Sequence, residues 1–153
     1  MTSRGLDLGL AFASGGLLTL MVLFNGEMGR FTTPLFSSWA AHATGTVAAL
    51  IALAIALVMR RGQRRAAQTP APFWAYLAGL SGAATVMLTS MTVNSPLALS
   101  GTLALGLAGQ AGFALVTDRF GWFGLPVRRP TARDIAALAL ILAGSFLVIF
   151  AGA

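Results

Sequence analysis

The only imidazole in the chain, His42, falls inside an apolar run, and histidine is the side chain whose ordinary titration lies near neutral pH. Ser38, His42 and Thr46 follow one another at i, i+4 and i+8, and Trp39 is a helical neighbour of His42. On a helix that spacing puts hydroxyls, an imidazole and an indole within reach of one ligand. The same residues also suit a neutral histidine hydrogen-bonded to an adjoining helix, and both readings stand. Gln110 is the second such residue, because its amide has donors and an acceptor that a helix cannot satisfy. It calls for a partner helix, a water or a ligand.

Ser81, Thr85 and Thr89 repeat the four-residue spacing. Their hydroxyls can bond back to carbonyls one turn earlier, which lets them sit in an apolar medium as packing residues or along a solute path. Asn25 and Glu27 close another apolar run, with Arg30 three residues beyond Glu27 and placed to pair with it. Asp7, Glu27, Asp118 and Asp134 all fall near the ends of such runs, so no carboxylate is placed as a mid-membrane proton carrier. With no cysteine and one histidine, neither a thiolate nor a zinc cage can be assembled. No nucleophile and base pair and no phosphate-binding loop is present, so neither an enzyme nor a cofactor is expected.

The elements that must carry these residues are set by composition. Hydrophobic residues make up 57% of the 153 and charged residues 9%, and the mean hydropathy is +0.82. Those values belong to a chain whose solvent is lipid. A spanning helix needs about 20 apolar residues. That ruler places five helices, at roughly 6–25, 34–59, 73–93, 97–117 and 132–151, in one all-α transmembrane domain over 1–153. Pro34 suits the first turn of the second helix, which is long enough to tilt. Asn94-Ser95-Pro96 is a compact breaker and predicts a tight hairpin of helices three and four. Trp122 and Phe123 lie in a Gly/Pro/Arg stretch, 121–130, as interfacial anchors. The first run lacks a convincing small-x-small cleavage site and reads as a retained helix, not a signal peptide.

The formal charge of +6 comes from ten arginines, which lie between or just beyond the apolar runs and point to loop anchoring, not to nucleic acid. Arg4, Arg60, Arg61, Arg64, Arg65, Arg119, Arg128, Arg129 and Arg133 fall on one side and Arg30 alone on the other. Positive charge is retained in the cytoplasm, so the amino terminus is expected inside and the carboxyl terminus outside. Small residues recur at helical spacing at Gly5, Gly9 and Ala13 and at Gly101, Gly106, Gly109 and Gly112. They suit close helix packing within the chain or a dimer seam.

The order of residues carries a resemblance. Phe24-Asn25-Gly26-Glu27-Met28-Gly29-Arg30, then Pro34 and Gly45-Thr46, resembles the opening of the short five-helix YdcZ-type family of the drug/metabolite transporter superfamily. Phe73-Trp74-Ala75-Tyr76-Leu77-Ala78-Gly79-Leu80-Ser81-Gly82, Gly109-Gln110, the run from Asp118 to Pro126 and Gly144 follow in the order of that family. The resemblance covers almost the whole chain. It implies a multi-pass protein of the bacterial inner membrane, an exporter of an unidentified small metabolite or drug-like solute, and half of a ten-helix inverted-repeat transporter. His42 stands where the family usually has an apolar or small residue. Related four-helix antiporters use a glutamate in helix one, and here Ala13 and Ser14 lie at that depth.

These observations lead to a transporter subunit working by alternating access, with Asn25, Trp39, His42 and Gln110 as substrate-binding residues and with neither cofactor nor metal. The one-sided arginines disfavour a homodimer inserted both ways. The expected partner is an oppositely oriented five-helix paralogue, or else a second copy in parallel. The rival reading is a membrane assembly or scaffold protein, whose polar faces only hold helices together.

Overall fold

The computed structural model describes residues 3–59 and 70–151. Five helices among them are long and apolar enough to cross a membrane, and no strand occurs among these residues. They contain α1 (Ser3–Phe31), α2 (Pro34–Met59), α3 (Ala78–Val93), α4 (Ala98–Phe120) and α5 (Ala132–Ala151), with short 3-10 turns at Phe73–Leu77 and Trp122–Gly124; the third span joins the first of these turns to α3, as Phe73–Val93. The protein is an all-helical, multi-pass membrane protein. Arg60, Arg61, Arg64 and Arg65, expected in a basic loop, lie outside the described residues.

The chain forms two compact units, Met1–Met91 and Thr92–Ala153. In the first, α1 and α2 are joined by Thr32 and Thr33 alone and pack as a hairpin. Thr33 caps α2: its hydroxyl accepts the Phe36 N–H at 3.1 Å, and Pro34 occupies the first helical position, where no donor is lost. α1 runs to Phe31, six residues beyond the expected end at 25. The Asn25-Gly26-Glu27 stretch that reads as a breaker is helical, because Asn25 and Gly26 are buried against neighbours while Glu27 and Arg30 stay exposed.

In the second unit, the breaker at 94–96 makes a compact turn. The Ser95 hydroxyl donates to the Thr92 carbonyl at 2.7 Å and accepts the Leu97 N–H at 3.2 Å. α4 and α5 pack together, with the Ser145 hydroxyl donating to the Ala104 carbonyl at 2.9 Å and Ile149 resting on Gly101. α4 continues to Phe120, three residues past the expected 117, and stops at Gly121, whose φ of 63° is open to glycine at little cost.

Among the described residues the buried apolar side chains are Val22, Val86 and Ala108, outnumbered by Asn25, Ser37, Ser38, Ser90, Thr102, Thr117 and Ser145. A water-soluble domain would show the reverse. In lipid no hydrophobic force draws helices together, so small and hydroxyl residues make the close contacts while leucines and phenylalanines face outward.

Candidate functional site

The first unit is fastened at one backbone atom. The Asn25 carbonyl oxygen on α1 accepts hydrogen bonds from Ser37 of α2 at 2.8 Å and Ser90 of α3 at 3.1 Å. Both serines are fully buried. Gly29, one turn further along α1, has room for no side chain, since a Cβ there would overlap the Ser90 hydroxyl. A second fastening joins α2 to α3, where the Ser38 hydroxyl donates to the Ala83 carbonyl at 3.1 Å. Three helices are thus held by hydroxyl-to-carbonyl bonds that lipid cannot compete for.

Beyond these fastenings the three helices separate around an open-sided cavity of about 530 Å³. That volume lies within the range of small-molecule sites. Its walls take Met21 from α1, His42 and Thr46 from α2, and Ser81, Gly82 and Thr85 from α3, with small residues such as Gly45 between them. His42 is half-buried. Its Nδ1 lies 2.7 Å from the Ser38 carbonyl oxygen, and its Nε2 points towards Gly82, where a Cβ would come within 3.4 Å. The neighbouring hydroxyls turn back on their own helices: Thr46 donates to the His42 carbonyl at 2.7 Å, Ser81 to Ala78 at 2.9 Å and Thr85 to Ser81 at 2.9 Å.

Of the four residues singled out in the sequence, His42 lines this cavity. Asn25 is buried nearby in the chain and acts through its backbone carbonyl in the fastening, not as a cavity wall. Trp39 is 66% exposed and leans on Phe36, with ring centroids 5.8 Å apart, outside the cavity wall. Gln110 is exposed on α4, in the second unit. Met21, Gly45 and Gly82 also line the cavity; the sequence offers the two glycines only as part of the family resemblance, and Met21 not at all. Gly45 stands three residues after His42 and shares its face by helical spacing, whereas nothing in one sequence ties Gly82 of α3 to His42.

The second unit has its own polar cluster, at the junction of α4 and α5. Arg128 donates its backbone N–H to the Asp118 carbonyl at 2.7 Å and its Nη2 to Asp134 Oδ1 at 2.9 Å, with its Nε 3.5 Å from Asp118 Oδ2. Asp134 in turn accepts from the Thr131 N–H and hydroxyl, each at 2.8 Å. Phe113, Phe120, Trp122 and Phe123 gather beside it, with neighbouring centroids 5.9 to 6.5 Å apart. On α1, Glu27 and Arg30 face each other at 3.8 Å, both well exposed, a pairing worth little in energy. No group of three potential metal ligands occurs among the described residues.

Residues 6–147 match the sequence profile of the family described as "Putative inner membrane exporter, YdcZ". No curated protein and no solved structure matches the chain.

Proposed function

The chain belongs to the YdcZ inner-membrane exporter family, and from that premise we propose that it is a subunit exporting a small solute by alternating access, as in the drug/metabolite transporter superfamily. The cavity between α1, α2 and α3 is its share of the binding site. The observation that carries this reading is a solute-sized space within membrane helices, walled by hydroxyls and one imidazole, in a chain of an exporter family. A scaffold protein has no need of such a space: hydroxyls that only hold helices together would be buried like Ser37 and Ser90, not set around an opening.

In this reading the chain works beside a second five-helix subunit of opposite orientation, the two together forming a ten-helix inverted pair whose cavities open alternately to either side. His42 contacts the solute directly, Asn25 holds the helix junction that shapes the cavity, and Trp39 and Gln110 belong to surfaces the partner completes.

Untargeted efflux tests the proposal. Proteoliposomes holding the chain, alone or with a five-helix paralogue of reversed arginine bias, are loaded with a whole-cell metabolite extract, and the solutes that leave are identified by mass spectrometry. Selective depletion of one or a few solutes, reduced by His42→Ala, is the expected result. Equal leakage with and without protein in every combination overturns the assignment.

A further inference from the structure

Among the described residues, the polar side chains lining the cavity of the first unit are each hydrogen-bonded to a carbonyl of their own helix, which leaves lone pairs towards the cavity, and we infer that it selects solutes that carry N–H or O–H donors on an apolar body, in competition with a proton at His42 Nε2. This deepens the exporter reading and rests on it for the identity of the site.

The polarity follows from where each proton already points. A carbonyl oxygen can only accept, so the 2.7 Å contact between Nδ1 and the Ser38 carbonyl places the neutral ring's single N–H on Nδ1. Nε2 then carries a lone pair, and it lies beside Gly82, which lines the cavity together with His42. Thr46, Ser81 and Thr85 each have one hydroxyl proton, and each gives it to a carbonyl of its own helix at 2.7 to 2.9 Å. What these oxygens present to a ligand is lone pairs. The remaining walls are apolar or small, including Met21, Ala49 and Val86. A solute bearing only acceptors would meet acceptors and lose its hydration for nothing. A primary amine on an aromatic or aliphatic body suits both parts of the wall. Its trimethylated analogue has the same charge and much the same body, but no donor.

Protonation inverts the central contact. Imidazolium carries N–H on both nitrogens, so Nε2 changes from acceptor to donor and gains a positive charge that opposes an ammonium group. Binding of the amine to the imidazolium form therefore releases one proton from Nε2 to water, binding to the neutral ring releases none, and protonation releases the amine. Among the described residues of the first unit, no other titratable group lines the cavity. α3 has none, and α2 has only His42. α1 contributes Met21, with Asp7 and Arg4 fourteen or more residues before it and Glu27 and Arg30 six or more after it, paired with each other. Tyr76, in the 3-10 turn before α3, is exposed and outside the wall.

One histidine in the whole chain makes the test direct. The full chain, prepared with ring-15N-histidine and a histidine-free tag in nanodiscs, gives two ring nitrogen signals to follow by NMR through a pH titration, with phenethylamine and its N,N,N-trimethyl analogue as probes. In the neutral ring the expected result is a protonated Nδ1 and a bare Nε2. Phenethylamine moves the Nε2 signal while the ring is neutral and binds more weakly once Nε2 is protonated, as reciprocity between ligand and proton requires. The trimethyl analogue does neither, and His42→Ala binds the amine more weakly and without that pH dependence. A proton on Nε2 in the neutral ring, equal responses to the two probes, no response to either, or a steep pH dependence surviving in His42→Ala overturns the inference. Binding of this kind without efflux would sink the exporter reading alone, and efflux with an unresponsive His42 would sink the inference alone.

Discussion

At position 29 the lack of a side chain is a requirement of packing. Gly29 leaves the space that the Ser90 hydroxyl fills on its way to the Asn25 carbonyl. Gly29→Ala puts a methyl where the Ser90 hydroxyl sits, an overpacking change that costs about 1–3 kcal/mol. Ser90→Ala removes the offending oxygen and forfeits one interhelical hydrogen bond, worth about 0.6 kcal/mol in lipid. The Gly29→Ala, Ser90→Ala double variant should therefore unfold at a higher temperature than Gly29→Ala alone, measured by thermal denaturation in detergent. If the two losses simply add, the steric account fails. Neither Gly29 nor Ser90 stands out in the sequence as a pair. Glycine is frequent in this chain, and a contact between residues 61 positions apart leaves no periodic trace.

Helices α2 and α5 start where local chemistry announces them. Thr33-Pro34 supplies a cap and a first-turn proline. Thr131 and Asp134 form a reciprocal capping pair: Asp134 accepts from the Thr131 N–H, and the Asp134 N–H reaches back to the Thr131 hydroxyl at 3.4 Å. Arg128 then ties this cap to the last turn of α4. Losing the Thr131 hydroxyl removes a cap worth about 0.5–2 kcal/mol. For Thr131→Ala, faster amide exchange is expected in the first turn of α5, near Ile135, with the far end around Ile149 unchanged. Exchange that rises evenly along α5 would contradict a local cap. The ends of α1 and α4 are less legible, because polar residues there look like exits from the membrane. Asn25 continues the helix since its carbonyl serves two serines from elsewhere, and α4 continues through Asp118 and Arg119 because Asp118 holds Arg128 and Arg119 is exposed. Sequence patterns report what a residue is, not which helix will come to satisfy it.

For the molecule as a whole, the arginines make the sharpest claim. Nine on one side against Arg30 on the other predict a cytoplasmic amino terminus and a single mode of insertion. The chain has no cysteine, so single cysteines can be introduced without background. Thr32→Cys and Ala151→Cys should react with an impermeant maleimide from the periplasm, and Gly62→Cys only after the inner membrane is opened. Gly62→Cys labelled from outside would reverse the orientation, and two populations would favour dual insertion. The five spans are legible in composition because lipid demands about 20 apolar residues each time. The cavity is less so. His42 is visible as the one imidazole in an apolar run, and its ladder of Ser38 and Thr46 follows from helical spacing. Which α3 residues face it depends on how α2 and α3 are turned by the Ser38 bond to Ala83, a long-range fact.

The serine fastening also sets an order of assembly. With only Thr32 and Thr33 between them, α1 and α2 leave the ribosome almost together and can enter the translocon as one hairpin, with Ser37 already at the Asn25 carbonyl. Ser90 emerges more than fifty residues later. Until then the first unit lacks its third helix and its cavity lacks a wall, so a nascent chain stalled between Met59 and Ser90 holds a half-latched intermediate that membrane quality control would recognise.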